Sequence, residues 1–335
     1  MNLGVIKPLV WGGLHGLGVN ALARGLTRRS ARIVTYHGVD ADAHPVVNAD
    51  RLQVPPAVFA AQLDLLARQY QVIPLRALVD GLLGRAELPS RALAITFDDG
   101  YRNNLEQAAP VLRAKGLPAT FFVTTSFVNG AVEPWWYRLR EAVSALPGPQ
   151  WAQPGQPPRP LGSDADRART ALEWEAAARV ELATEQDVIV RQLEEAGGGR
   201  KPLRYPLLTV DEVRALAGQG FDVQAHGDRH LSHAREDDAA VKAEIRSSVE
   251  QVRDWTGRAP WAYAYPYGHV PRSPAVLEAL RAAGLQSAVG TQTGLNRVGG
   301  DVWRLNRYDL SGGWQGSALE SRLAGVWPDA RGDAA

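Results

Sequence analysis

Two carboxylates stand side by side in ALAITFDDGYRNN, residues 92–104. Asp98 and Asp99 end a mostly apolar run and are followed by Gly100. An Asp-Gly turn after a strand needs only one acidic residue, and for DG alone an ordinary turn is the better reading. A second carboxylate beside the first costs mutual repulsion unless a cation or a pKa shift relieves it. The chain has no cysteine, so a metal ion here would have to be held by His, Asp or Glu. Candidate ligands stand in FDVQAHGDRH, where His226 follows another strand-like run and His230 lies four residues on. If the chain turns helically after that strand, the spacing brings both imidazoles to one side. Two His and one carboxylate form a common open metal set, with positions left for water and substrate. HxxxH alone is weak; its place after a strand, in a chain with a strand-ending Asp pair, gives it weight.

Three further stretches bear on chemistry. AYAYPYGH, residues 262–269, ends a strand in a tight turn fixed by Pro266 and Gly268. Such a turn can aim a backbone N–H at a developing oxyanion, although a plain strand-to-helix loop would use the same residues. RIVTYHGV, residues 32–39, places His37 after a strand, where a lone histidine is most often a hydrogen-bonded core residue. Trp135, Trp136 and Tyr137 offer faces on which sugar rings stack; the simpler role is to anchor their own segment.

These residues need strands to end where they stand. From residue 32, short β-type runs (RIVTY, YQVI, ALAITF, ATFFVTT, FDVQA, WAYAY, QSAVG, VWRLNRY) alternate mostly with helical patterns. TVDEVRALAGQG carries a capping box, Thr209 with Glu212. SPAVLEALRAAG has Ser273 as N-cap, Pro274 at the first helical position and Gly284 at the stop. Alternating strands and helices imply parallel strands with helices outside, as a barrel or an open doubly wound sheet. The alternation breaks between residue 130 and about residue 205, where a Pro/Gly/Gln-rich loop precedes a long Ala/Glu/Arg helix pattern around 165–196. This predicts a helical insertion. The expected organisation is an N-terminal amphipathic segment (1–31), a main domain (32–310) interrupted by an insertion (131–204), and a C-terminal tail (311–335).

The 335 residues carry a net charge of +1 with both signs interspersed. That gives no electrostatic case for nucleic acid or for a purely charge-driven membrane patch. The N-terminal stretch is apolar from Pro8 to Ala23 and then basic at Arg24, Arg28, Arg29 and Arg32. It is too short and polar for a membrane span and a poor signal peptide. An amphipathic segment on the domain or on a membrane surface is expected, with a cytoplasmic or membrane-peripheral address favoured over a periplasmic one.

In order, TFDDG, HxxxH after a strand and a strand ending YPYG resemble the polysaccharide deacetylase family, also called carbohydrate esterase family 4 or the NodB-homology domain. The resemblance covers roughly residues 32–130 and 205–310. It implies an α/β fold, a distorted (β/α) barrel with a helical insertion. It also implies a divalent metal, zinc before others, and hydrolysis of N-acetyl groups on amino sugars of a polysaccharide or its precursor. Carried over by motif, Asp98 is the general base, Asp99, His226 and His230 are the metal ligands, and Tyr267 offers its backbone N–H to the oxyanion. Two departures stand out. The family's Arg three residues before that Tyr is Ala264 here, so another group must steady the base. The late Leu-x-His motif that supplies the general acid is missing, and TYHGV lies early instead. This resembles the branch of poly-β-1,6-N-acetylglucosamine deacetylases, which makes His37 the matching acid, with His269 its competitor. Alternatives are a deacylase or deformylase of a lipid-linked sugar, a peptidoglycan or chitin-like polymer deacetylase, and a non-catalytic glycan-binding relative.

Overall fold

The computed structural model describes residues 18–153 and 156–325. The main sheet holds β1 (Arg32–Tyr36), β2 (Gln71–Val72), β3 (Ala92–Phe97), β4 (Thr120–Val123), β5 (Asp222–Ala225), β6 (Ala262–Ala264), β7 (Ser287–Val289) and β8 (Tyr308–Asp309). Its order is β7-β6-β5-β4-β3-β1-β8, with β2 paired to the start of β3, and every pairing is parallel. All six residues of β3 are buried, as expected for a parallel strand covered on both faces.

Residues 302–309 bring the two edges together. Val302 and Leu305 bond to Ala288 and Gly290 beside β7, and Tyr308 and Asp309 then pair with β1. The stretch VWRLNRY was expected to be a strand throughout. Only its last residue enters β8, because the segment serves two neighbours in succession.

Register aligns the strand ends. Tyr36 pairs Phe97, Phe97 pairs Phe121, Val123 pairs Ala225 and Ala264 pairs Val289. His37, Asp98 and His226 each follow the last residue of a strand, so they emerge at one rim. This is the catalytic end of β/α barrels.

The helices of the main body are α1 (Val19–Leu26), α2 (Pro56–Gln69), α3 (Leu75–Leu82), α4 (Ala109–Ala114, entered through a wide π turn at Asn104–Ala108) and α5 (Thr125–Val128). The insertion contributes α6 (Trp135–Ala145), α7 (Asp164–Ala178) and α8 (Ala183–Ala196). After it come α9 (Val210–Gly218), α10 (Asp238–Thr256), α11 (Pro274–Ala282) and α12 (Gly316–Ala324). One sheet face, with Val34, Ile95, Phe97 and Phe121, packs against α2, α9, α10 and α11. The other, with Ile33, Ala92, Ala94 and Phe122, packs against α3. Thr96 and Asp98 continue the alternation of Ala92 and Ala94 and so point to the α3 side.

Local signals at the helix ends hold in part. Thr209 and Glu212 form the capping box that opens α9. Ser273 sits at the N-cap position of α11, but its hydroxyl donates to Asp238 rather than capping. The long helix expected around 165–196 is two helices, broken at residues 179–182. α6, α7 and α8 enclose a small core of their own, with Leu139, Val143, Trp174, Val190 and Leu193.

In the stretch expected to be a C-terminal tail, α12 buries Leu319 and Leu323 in the main core, and the Arg32 Nε donates to the Leu323 carbonyl. Ser321 of α12 also bonds Asn20 of α1. Of the expected N-terminal amphipathic segment, residues 1–17 lie outside the described residues. The part that is described exposes Leu22 and Leu26. No helix among the described residues is long and apolar enough to cross a membrane.

Candidate active site

Asp98 and Asp99 are both buried at the end of β3. Their surroundings separate them. Asp98 accepts two bonds from one guanidinium, Arg307 Nη1 to Oδ1 at 2.8 Å and Nη2 to Oδ2 at 2.6 Å. Arg307 is itself fully buried and also bonds the hydroxyls of Thr35 and Thr96 and the carbonyl of Gly290. A bidentate fork of this kind fixes the orientation of the carboxylate as well as its charge. Burial pushes the Asp98 carboxyl up, but Arg307, with His226 and His37 nearby, brings it below its ordinary value.

Asp99 turns the other way. Its Oδ1 lies 3.4 Å from His226 Nε2 and 3.5 Å from His230 Nε2. Burial would raise this carboxyl too, but the bond to His226 and the nearby His37 and His230 hold it well below the usual carboxylate range. His230 is pushed down to about 3 by burial and by the neighbouring His226. The three side chains are buried, and their ligand atoms lie within 4.8 Å of one another. Tetrahedral coordination with bonds of about 2.0–2.2 Å separates ligand atoms by about 3.4 Å, so the three fit a divalent cation. His226 Nδ1 bonds the Ala264 carbonyl at 2.9 Å, which fixes the tautomer and leaves Nε2 free to ligate.

The histidines converge without the helical turn that the spacing invited. Residues 226–235 form a loop, and His230 has φ 60°. Gly227 has φ 79°, and a Cβ there would lie 2.7 Å from Glu244 Oε1. That same oxygen accepts the N–H groups of Arg229 and Leu231, on either side of His230. Asp228 is clamped by Thr125, Ser126, Ser247 and Gln251. Asp99 and Tyr267 also have positive φ, 73° and 58°. Left-handed backbone at non-glycine residues is costly and concentrates at functional sites.

Tyr267 lies in the 266–268 turn, and its backbone N–H has no acceptor among the described residues. Its ring stands 4.5 Å from that of His230, and its hydroxyl accepts from Trp135 Nε1 at 2.8 Å. Trp136 rests on His230 at 5.0 Å. Trp135 and Trp136 of the insertion are thus spent on buttressing the rim, while Tyr137 is buried and its hydroxyl accepts from Gln53.

His37 follows β1 at the rim. Its Nδ1 is buried without a partner, as is Oδ1 of Asp309, whose backbone pairs Thr35. Burial raises the Asp309 carboxyl, and the proximity of His37 opposes that rise. The competing His269 bonds Ser232 through Nδ1, and burial together with Arg235 and Arg179 pushes its pKa down. His233 is a core residue packed on Tyr263 and pushed down to about 3 by burial. His44 accepts the N–H groups of Val46 and Val47 in a loop.

Sequence reasoning missed Arg307 and Asp309. The signal lay in VWRLNRYDL, where an arginine and an aspartate two residues apart interrupt a strand-like run.

The model of the family described as polysaccharide deacetylase matches residues 85–147 and 179–288. Among solved structures, the chain is similar to the Streptococcus pyogenes deacetylase PplD in complex with acetate (TM-score 0.59, 16% identity, 88% of this chain and 98% of that one). It is also similar to IcaB from Ammonifex degensii (TM-score 0.55, 17% identity, 89% and 96%). At these identities the likeness is one of fold. Over 83 residues, 24% of this chain, it is 36% identical to YxkH of Bacillus subtilis, whose name assigns it provisionally to the polysaccharide deacetylases. The match spans only 29% of that curated relative's length.

Proposed function

Because the chain belongs to the polysaccharide deacetylase family, whose members are metal-dependent hydrolases of N-acetyl groups on amino sugars, we propose that Asp98, Asp99, His226, His230, Tyr267 and His37 carry that reaction here. The observation that carries this reading is the division of labour within the Asp pair. One carboxylate is gripped by Arg307, and its neighbour faces two imidazoles.

Asp99, His226 and His230 would hold the divalent cation; two imidazoles and a carboxylate suit zinc and other first-row divalent ions, and zinc is the ion proposed. Such an ion supplies Lewis acidity toward the acetamide carbonyl and acidifies water. Asp98, kept ionised by Arg307, takes the proton from the attacking water. The Tyr267 N–H donates to the oxygen on which negative charge develops. His37 gives a proton to the nitrogen as the C–N bond breaks, since an amine departs poorly as an anion. The buried carboxyl of Asp309, beside Thr35 across the strand pair, is the acidic group near His37. His269 suits this role less well, because burial, with Arg235 and Arg179 nearby, pushes its pKa down.

The substrate is proposed to be an N-acetylated glycan or its precursor. Purified protein loaded with zinc should release acetate from an acetylated chito-oligomer, and chelation should abolish the release. Release that is indifferent to chelation, or no release from any acetylated amino sugar, would overturn the reading.

A further inference from the structure

A cavity of about 400 Å³ opens beside the 266–268 turn, between α7 of the insertion and the loop that follows His230. Its two acidic residues are already engaged. Glu175 gives Oε2 to Arg140 and Oε1 to Arg179, while Asp50 gives Oδ2 to Arg140 and Oδ1 to the Leu52 N–H. Arg140 is fully buried behind them. The cavity's donors are less committed. Arg235 is exposed and has no ion pair among the described residues. Arg179 is half exposed, and only its Nη2 is engaged by Glu175. Three arginines thus meet two carboxylates, and the groups left over are N–H donors.

The cavity also lies close to the proposed chemistry. Arg179 stands over the Tyr267 ring at 5.8 Å, and that ring is 4.5 Å from His230. Leu172 and Ala176 of α7, with Val180 just beyond its end, give one wall an apolar face on which the C–H side of a sugar ring can lie. We propose that Arg179 and Arg235 form a subsite for an oxyanion, phosphate or carboxylate, carried by the glycan next to the acetamido group that is hydrolysed. A neutral sugar presents hydroxyl donors as well as acceptors, and the carboxylates that would receive those donors are already paired. An oxyanion presents acceptors only, and guanidinium groups bind it by charge-assisted hydrogen bonds. Both arginines line the cavity together with His269. The proposal rests on the deacetylase reading for its substrate class.

The test is a binding measurement that needs no turnover. The full chain is titrated calorimetrically with N-acetylglucosamine 1-phosphate, a hyaluronan tetrasaccharide and neutral diacetylchitobiose. At least one anionic ligand should bind about tenfold tighter than the neutral one at low salt. That advantage should fade at about 0.5 M salt and vanish in the Arg179→Ala/Arg235→Ala double variant. It should survive in the control Arg214→Ala, an exposed arginine that does not line this cavity. Preference for the sugar phosphate or for the uronate identifies the source of the oxyanion. Equal affinity for all three ligands, or an advantage that persists in the double variant, overturns the subsite. Arg179→Lys/Arg235→Lys, which keeps the charge and loses the fork, should retain part of the preference and guards against misfolding of the alanine variant. Acetate release from the neutral chito-oligomer is measured separately. The subsite can therefore fail while the deacetylase reading stands, and the reverse.

Discussion

Asp98 and Asp99 are adjacent in the chain, yet they face different partners, and single substitutions should separate their roles. Asp98→Asn should lower turnover by roughly 10²–10⁴ while metal content, read by elemental analysis, stays near one per chain. Loss of metal in that variant would make Asp98 a ligand. Arg307 holds the Asp98 carboxyl below its ordinary value against burial, which acts the other way. Arg307→Lys keeps a cation in the buried site but not the fork. The Asp98 pKa should then rise, and because the base must be ionised, the acidic limb of the kcat/KM profile should move to higher pH. An unmoved limb would show that the fork does not tune the base. His37→Ala should lower kcat by at least about a hundredfold with metal retained. If His269→Ala carries the loss instead, the proton donor belongs to the 266–268 turn.

At the scale of elements, α10 governs the ligand loop through Glu244. Burial pushes this carboxyl up to about 7, although it accepts the N–H groups of Leu231 and Arg229. A folded pKa above the unfolded one means that the folded state binds more protons between them. Stability from this group is therefore full below about pH 4.5 and is lost as pH rises to about 7. Glu244→Gln keeps an acceptor and removes the titration, so its unfolding free energy should be flatter across that window and higher by about 1–3 kcal/mol above it, as read from denaturant titrations. Parallel slopes in the two proteins would refute this. The strands and most helices were legible because apolar runs, caps and glycine stops act locally. The loop geometry was not, since left-handed backbone at His230 follows from Glu244 and Asp228 contacts that no local spacing encodes. Arg307 was illegible for the same reason: only closure by residues 302–309 brings it under Asp98, 209 positions away.

At the scale of the whole molecule, a cation seated on Asp99, His226 and His230 should stabilise the fold by mass action. At a hundredfold excess over its Kd, zinc should add about 2.7 kcal/mol, raising the melting temperature by several degrees. Asp99→Ala should abolish that rise, and a rise that survives would place the ion elsewhere. The insertion was legible as a break in alternation, but its reach into the rim was not. Trp136 lies against His230, and Trp135 holds the hydroxyl of Tyr267. These shared side chains make the inserted helices and the ligand set thermodynamically reciprocal. Any molecule that settles on α6 or α7 and changes the affinity for the ion by some factor must have its own affinity changed by the ion by that same factor.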